Sequence, residues 1–314
     1  MKKLENCIVF SEDIKLIMEG NNALNYRFSD KGIIIPDDNF IKNIRMKFYN
    51  IMKDVYDTNV VIVTEKEMKD AMNSIIDEYK GKYPIVSMDQ IYIDCDNKDI
   101  YSLDVTRVTG SKEMVSRADP LDKDSVRKQV SKIANILKAN KQDSIILLDD
   151  VIFSGSVIDY ISKLFSEYNI KVIGAGAAIS SNEAYNRFST LDKKVKCEFL
   201  MMDNVIDEIC ERDFFYGIPQ SGMVKVENGI AFKAPYVLPF GDPVARASCP
   251  ESKKGYLSKE LIKLSLMFWE ETQRLSNKMI MNYELPERIL NTDINESVVK
   301  TLKKELIWKE YKLE

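Results

Sequence analysis

A chain of 314 residues, 45% hydrophobic and 30% charged, is long enough for one large or two modest domains with a full core, and its formal net charge of −4 argues against a general nucleic-acid surface. It contains no histidine, which excludes histidine triads, histidine zinc sites and histidine acid–base catalysis and leaves chemistry to carboxylates, cations, bound Mg²⁺ and positioning. No apolar run approaches the roughly 18–20 residues that span a bilayer, Met1 to Asn6 lack the apolar region of a signal peptide, and the cysteines (Cys7, Cys95, Cys197, Cys210, Cys249) show no paired spacing, so the expectation is a cytoplasmic chain with reduced thiols and no membrane partner.

In chain order, residues 1–36 read as an N-terminal extension. Ile33-Ile34-Ile35 is a short strand candidate, ended by the turn or helix-start signal Pro36-Asp37-Asp38. Phe40, Ile44, Phe48, Ile51 and Val55 recur every three or four residues and predict an amphipathic helix. Val60 to Val63 predicts a short buried strand, Thr64-Glu65-Lys66-Glu67 a loop, and Met68, Met72, Ile75, Ile76 and Tyr79 a second helix closed by Gly81. Ile85 to Asp94 and Ile100 to Val108 read as two strands joined in a hairpin by Asp96-Asn97-Lys98-Asp99, since Asp and Asn form turns readily. Arg107, Lys112 and Arg117 then lie in a polar, glycine-containing stretch that ends at Pro120. Val126, Val130, Ile133 and Leu137 predict another amphipathic helix.

The most informative stretch is 144–157. Ile145 to Leu148 is an unbroken apolar run, as in a strand covered on both faces of a parallel sheet. Asp149 and Asp150 follow where that strand emerges. Adjacent carboxylates repel each other when buried without partners, so they are expected to face a polyol, a metal or cations. Phe153-Ser154-Gly155-Ser156-Val157 supplies a small-residue turn, and Ile158, Ile161, Leu164 and Phe165 mark the helix after it. A strand, such a turn and a helix N-terminus together form an anion site, because backbone N–H groups and the helix dipole favour phosphate. Carboxylates for hydroxyls beside amides for phosphate suggest a ribose 5-phosphate.

This segment resembles the phosphoribosyl pyrophosphate (PRPP) loop of type I phosphoribosyltransferases, in which an apolar strand, two acids, an apolar pair and a Thr-Gly-x-Thr-like turn follow one another. The resemblance implies that Asp149 and Asp150 bind the ribose 2′ and 3′ hydroxyls and that Phe153, Ser154, Gly155, Ser156 and Val157 bind the 5-phosphate. The aromatic residue before Ser-Gly is similar to pyrimidine-operon regulators with uracil phosphoribosyltransferase activity. Val157 departs from the pattern, standing where the family usually has Thr. Ile100-Tyr101-Ser102-Leu103-Asp104-Val105-Thr106-Arg107 resembles the strand entering the family's flexible catalytic loop, which implies that Arg107, Lys112 and Arg117 close over pyrophosphate as catalytic cations. The helix-strand-loop-helix order over 40–79 also matches how the family opens. By that match the 64–67 loop would bind pyrophosphate, but Glu65 and Glu67 stand where glycines are usual and would repel it, with Lys66 as the one cation there.

Beyond that stretch, Lys171 to Ile179 contains Gly174-Ala175-Gly176. Its sixth fingerprint position is Ile179 and no clear helix pattern follows, so the glycines are better explained by close approach to a central strand than by a dinucleotide. Val195 to Met202 is a further strand. The alternation from 60 to 203 predicts an α/β fold with a doubly wound parallel sheet and ligand beyond the carboxyl ends of its strands, and the resemblance implies that this sheet is of the type I phosphoribosyltransferase kind. This core covers 37–205. Residues 206–314 are expected to form a hood or lid and C-terminal helices of mixed character. In the family a variable hood covers the acceptor base, which makes Phe214, Phe215 and Tyr216 candidates for stacking on it, with core packing as the other reading of each ring. Tyr236 to Pro243 reads as an ordered lid or interface loop. Leu257 to Leu275 and Val298 to Trp308 predict helices that serve for packing or as a homodimer contact.

The expected function is therefore Mg²⁺-dependent transfer of a 5-phosphoribosyl group from PRPP to a nucleobase-like acceptor with release of pyrophosphate. The metal would be held mostly by substrate and water, with no ligand residue assigned. The alternatives are a non-catalytic sensor of the same fold that binds PRPP or a nucleotide, or a same-fold enzyme with altered phosphoribosyl chemistry.

Overall fold

The computed structural model describes residues 1–20, 27–93, 100–109, 111, 113–190 and 194–310. In chain order its regular elements begin with β1 (Lys2–Leu4), β2 (Cys7–Ser11), α1 (Ile14–Glu19), α2 (Asp38–Tyr56), β3 (Asn59–Val63), α3 (Glu65–Tyr79), β4 (Ile85–Ser87), β5 (Ile100–Ser102), β6 (Thr106–Arg107), β7 (Met114–Val115) and α4 (Ser125–Ala139). They continue with β8 (Ser144–Ile152), α5 (Ser156–Ser166), β9 (Lys171–Ser181), α6 (Asn182–Thr190), β10 (Lys194–Met201), β11 (Glu208–Cys210), β12 (Met223–Glu227), β13 (Ile230–Ala234), α7 (Pro243–Ala247), α8 (Lys254–Ser276) and α9 (Val298–Glu310). The chain divides into two compact units. Among the described residues, one comprises 1–6 and 63–205, the other 7–20, 27–62 and 206–310.

The first unit is α/β. Its sheet has six strands in the order β1-β10-β9-β8-β4-β5, and every pairing is parallel. The residues of β8 explain its central place: Ile145, Ile146, Leu147 and Leu148 are all fully buried, as the apolar run requires for a strand covered on both faces. Ile145 and Leu147 share one core with Val126, Val130 and Leu137 of α4 and Ile158, Ile161 and Phe165 of α5. On the opposite face α3 packs against β9. There a Cβ on Gly176 would lie 2.6 Å from Ile75 and 2.8 Å from Leu148, so the glycine is what lets the helix approach. α6 follows β9 directly, although only Ala184 and Phe188 of its residues are buried, too few for a periodic signal.

Several local expectations change. β4 and β5 are not a hairpin: they pair in parallel, Ile85 with Ile100 and Ser87 with Ser102. A parallel pair needs a crossover of about a dozen residues, where a two-residue hairpin turn would serve an antiparallel one; the expected turn at 96–99 lies outside the described residues. The strand expected over 100–108 breaks at Leu103–Val105, after which β6 and β7 form a small antiparallel ribbon. Thr64–Glu67 is not a loop but the start of α3. Thr64 accepts from the Glu67 N–H at 3.2 Å and Glu67 accepts from the Thr64 N–H at 2.9 Å, a complete capping box. Residues 1–11, read as extension, supply β1 at one edge of the large sheet and β2 in the second unit. Ile33–Ile35 is irregular rather than a strand, with the Ile34 N–H held by Ser276 Oγ at 2.8 Å.

The second unit has a three-stranded sheet, β11-β2-β3, and an antiparallel hairpin, β12–β13. The strand at 60–63 thus belongs to this smaller sheet and is only half-buried over most of its length. Asn228 and Gly229, both at positive φ, make the two-residue hairpin turn. α2 and α8 pack together on apolar faces that include Phe48, Phe268 and Trp269. Phe10, Phe48 and Phe214 form a ring cluster with centroid separations of 5.4–6.1 Å. Within this core Arg45 makes a two-pronged ion pair with Glu211, at 2.6–3.0 Å.

Candidate functional site

The site lies at the carboxyl end of β8 in the first unit. Asp149 and Asp150 are the sixth and seventh residues of that strand, half-buried rather than beyond its end. Each carboxylate accepts from the next backbone N–H, Asp149 from Asp150 at 3.1 Å and Asp150 from Val151 at 2.8 Å. Burial pushes the Asp149 carboxyl well above its ordinary range, and the neighbouring Asp150 and Asp89 add to the rise, while Arg117 opposes it.

The turn after β8 is shaped by Gly155, whose φ of 69° caps α5 in the left-handed region. A Cβ there would lie 2.4 Å from Arg187 Nη2 and from Phe188 Cζ, so the position takes only glycine. Ser154 Oγ donates to Ser156 Oγ at 3.2 Å and accepts from the Ser156 N–H at 3.4 Å. The Phe153 carbonyl accepts from Ser181 Oγ at 2.6 Å, while its ring is exposed. Val157 turns its side chain onto the core and offers no hydroxyl to the turn.

Two of the three expected cations reach this place. Arg107, exposed on the β6–β7 ribbon, donates from Nη2 to Ser156 Oγ at 2.6 Å across 49 residues of sequence. Arg117 is recessed: burial works against its charge, but Asp104, Asp150 and Asp149 together raise its pKa. Its Nη1 reaches Asp104 Oδ1 at 3.4 Å. Asp104 also accepts from the Ser116 hydroxyl and from the Ala118 N–H at 2.9 Å. Burial opposes the Asp104 charge, yet Arg117 and these donors hold its carboxyl below the ordinary range. Arg117 is therefore tied to the end of β5 through Asp104. Lys112, the third expected cation, lies outside the described residues.

The strand beside β8 contributes a residue that the sequence reading passed over. β4 ends at Ser87, and the buried Asp89 that follows accepts from the N–H groups of Ile91, Tyr92 and Ile93, each at 3.0 Å. Burial, then the charge of Asp150, push its carboxyl up to about 7 against those three donors. The only sequence signal was a lone acid inside the apolar stretch Ile85 to Ile93. The Thr64–Glu67 segment, by contrast, is not part of this strand end. Glu67 lines a cleft with Lys2, Glu198 and Phe199 at the β10–β1 edge, two strands away from β8. The repulsion expected of a Glu65/Glu67 pyrophosphate loop is thus replaced by helix capping.

Phe214, Phe215 and Tyr216 belong to the second unit and are fully enclosed in its core, at most 1% exposed. Phe214 packs edge-on against Tyr236 at 5.9 Å, and Tyr216 hydroxyl bonds Asn282 Oδ1 at 2.9 Å. Their role as base-stacking residues gives way to core packing, since no ring face is open.

Among the described residues no group of three or more acidic or cysteine side chains is arranged to hold a metal ion. The donors at the end of β8 are all carboxylate oxygens, which fits Mg²⁺ only in the mode where one or two carboxylates assist an ion held by substrate phosphates and water. Comparison with known protein families and with curated proteins returns no match to this chain. What the fold defines is an α/β protein whose six-stranded parallel sheet is flanked by helices.

Proposed function

We propose that the chain is a phosphoribosyltransferase of the type I kind, moving the 5-phosphoribosyl group of PRPP to a nucleobase-like acceptor with release of pyrophosphate. The observation that carries this reading is the meeting of Arg107 with Ser156 at 2.6 Å. It brings a cation from the ribbon after β5 onto the phosphate turn, immediately beyond the two acids of β8. Two carboxylates, a helix-start turn and a cation thus lie together at the carboxyl end of a central parallel strand, where such sheets bind their ligands, and this supports the reading.

In the proposed reaction an acceptor nitrogen forms a bond to C1′ as the bond from C1′ to the pyrophosphate oxygen breaks. Pyrophosphate leaves with the electron pair, and the acceptor's proton passes to solvent. Asp149 and Asp150 fix the ribose by accepting from its two hydroxyls, and the Phe153–Val157 amides with Ser154 and Ser156 fix the 5-phosphate. Arg107 and Arg117 stabilise the charge that develops on pyrophosphate, which is where a transition state of oxocarbenium character gains most from preorganised cations. Mg²⁺, when bound with substrate, supplies further neutralisation of that leaving group.

A second reading, ligand binding without turnover, is favoured by Asp89. Its carboxylate already fills three backbone amides beside Asp149 and Asp150, so those amides are not open to a pyrophosphate. Titration calorimetry with PRPP and Mg²⁺ tests both. Saturable binding is expected, and Asp149→Asn with Asp150→Asn should abolish it while leaving the melting profile cooperative. Undiminished binding by the double variant would remove the site. Acceptor-dependent release of pyrophosphate selects the transferase, and tight binding with no release against a panel of bases selects the sensor.

A further inference from the structure

Arg187, on α6, is the one guanidinium among the described residues with two enclosed nitrogens that lack a partner, Nε and Nη2. Its Nη1 is held by Asp159 Oδ2 in the first turn of α5, at 2.9 Å, and the guanidinium lies over the Phe188 ring at 4.6 Å. This arrangement aims the unpartnered edge at Gly155, where a Cβ would come within 2.4 Å of Nη2. Nη2 thus lies directly against Gly155, a residue of the turn.

Enclosing charged donors without an acceptor is costly, and in native proteins such groups call for an explanation. Stacking on the Phe188 ring stabilises the charge but gives Nε and Nη2 no hydrogen-bond acceptor. Asp159 is half-exposed and engages only one of the three nitrogens. The turn's own side chains offer few donors, because Val157 contributes no hydroxyl, which leaves Ser154 and Ser156 beside the amides and Arg107 reaching in from the β6–β7 ribbon. A guanidinium presents a planar fork that matches two phosphate oxygens, which the Nε–Nη2 edge would offer.

We propose that Arg187 is a phosphate-binding residue of this site, its Nε–Nη2 edge donating to the 5-phosphate once the ligand displaces the Gly155 turn slightly. The assignment rests on the phosphoribosyl reading above and gives it specificity for a phosphorylated ribose over ribose. Arg187 in this role is retained for ligand rather than for the fold.

The test is calorimetric titration of the full-length protein with ribose 5-phosphate and with ribose, for wild type, Arg187→Met and Arg187→Lys, beside thermal melts without ligand. Arg187→Met should weaken ribose 5-phosphate binding about 10- to 100-fold, the loss of charged hydrogen bonds. Arg187→Lys, which keeps the charge but not the fork, should fall between. The ligand-free melting temperature should stay the same or rise, because Met removes unpaired buried donors. If either variant binds ribose 5-phosphate as tightly as wild type, the assignment of Arg187 fails and the phosphoribosyl reading stands. If wild type itself does not prefer ribose 5-phosphate to ribose, both fail. Should Arg187→Met unfold, Arg187 is structural and the assignment is overturned unless Arg187→Lys melts like wild type and binds more weakly.

Discussion

Asp149 carries an electrostatic load that a ligand can relieve. Burial and the adjacent Asp150 raise its pKa, so the free site holds a proton to higher pH than an ordinary carboxylate does. A diol donates its hydroxyl protons to carboxylates and so favours their charged form, which lowers that pKa on binding. The direction follows: binding releases a proton, and affinity rises with pH through the range where the free acid titrates. Titrating ribose 5-phosphate in two buffers of different ionisation enthalpy should give observed heats that differ with the sign of proton release. Equal heats would mean that the acids do not meet the diol. The position of Asp149 and Asp150 near the end of β8 was legible in the sequence because it is local, two acids after an apolar run. Asp89 and Arg187 were not. Asp89 lies near Asp150 because β4 pairs with β8, and Arg187 lies near Gly155 because of where α6 sits, and no spacing along the chain encodes either.

Among the elements, α3 shows how one short motif supports two readings. Thr64-Glu65-Lys66-Glu67 is a Thr-x-x-Glu sequence before an apolar run, which is itself the signature of a capping box. Resemblance to a family opening assigned the segment to pyrophosphate, and the hydrogen bonds assign it to the helix end. Thr64→Ala should therefore lower stability by about 1 kcal/mol, the usual worth of an N-cap, while ribose 5-phosphate affinity stays within twofold of wild type. Lost affinity with unchanged stability would return the segment to the ligand. Periodicity found α2, α3, α4, α5 and α8 because each carries a continuous apolar stripe. It misjudged β4 and β5, since apolar strands look alike whether they pair in parallel or antiparallel. It also passed over Asn228-Gly229, a strong hairpin signal in its own right.

The molecule as a whole is divided differently from its sequence. A linear division at 36/37 and 205/206 leaves α2 with the first unit and β2 outside both, whereas contacts put both in the second. That core is centred on Phe10 and Phe48 as much as on Phe214 and Phe268. A fragment of residues 206–314 should accordingly lack a cooperative thermal transition by circular dichroism, because it loses β2 and α2 from its centre. A sharp melt from that fragment would show that the linear boundary is a folding boundary after all. Hydropathy alone cannot reveal such an interleaved arrangement, since it records which residues are buried and not against what.

The pairings of β1 and β2 carry a consequence for how the chain is made. Lys2 lies opposite Phe199 and Val9 opposite Glu208, so each unit is closed by a contact spanning nearly two hundred residues. A ribosome adding about 5–20 residues per second needs on the order of ten seconds or more between the two halves of either ladder. Through that interval β2 has β3 beside it, but its other edge, the one that β11 covers, stays open. Such high-contact-order closure is slow, and it leaves one edge each of β1 and β2 open while the intervening chain is made.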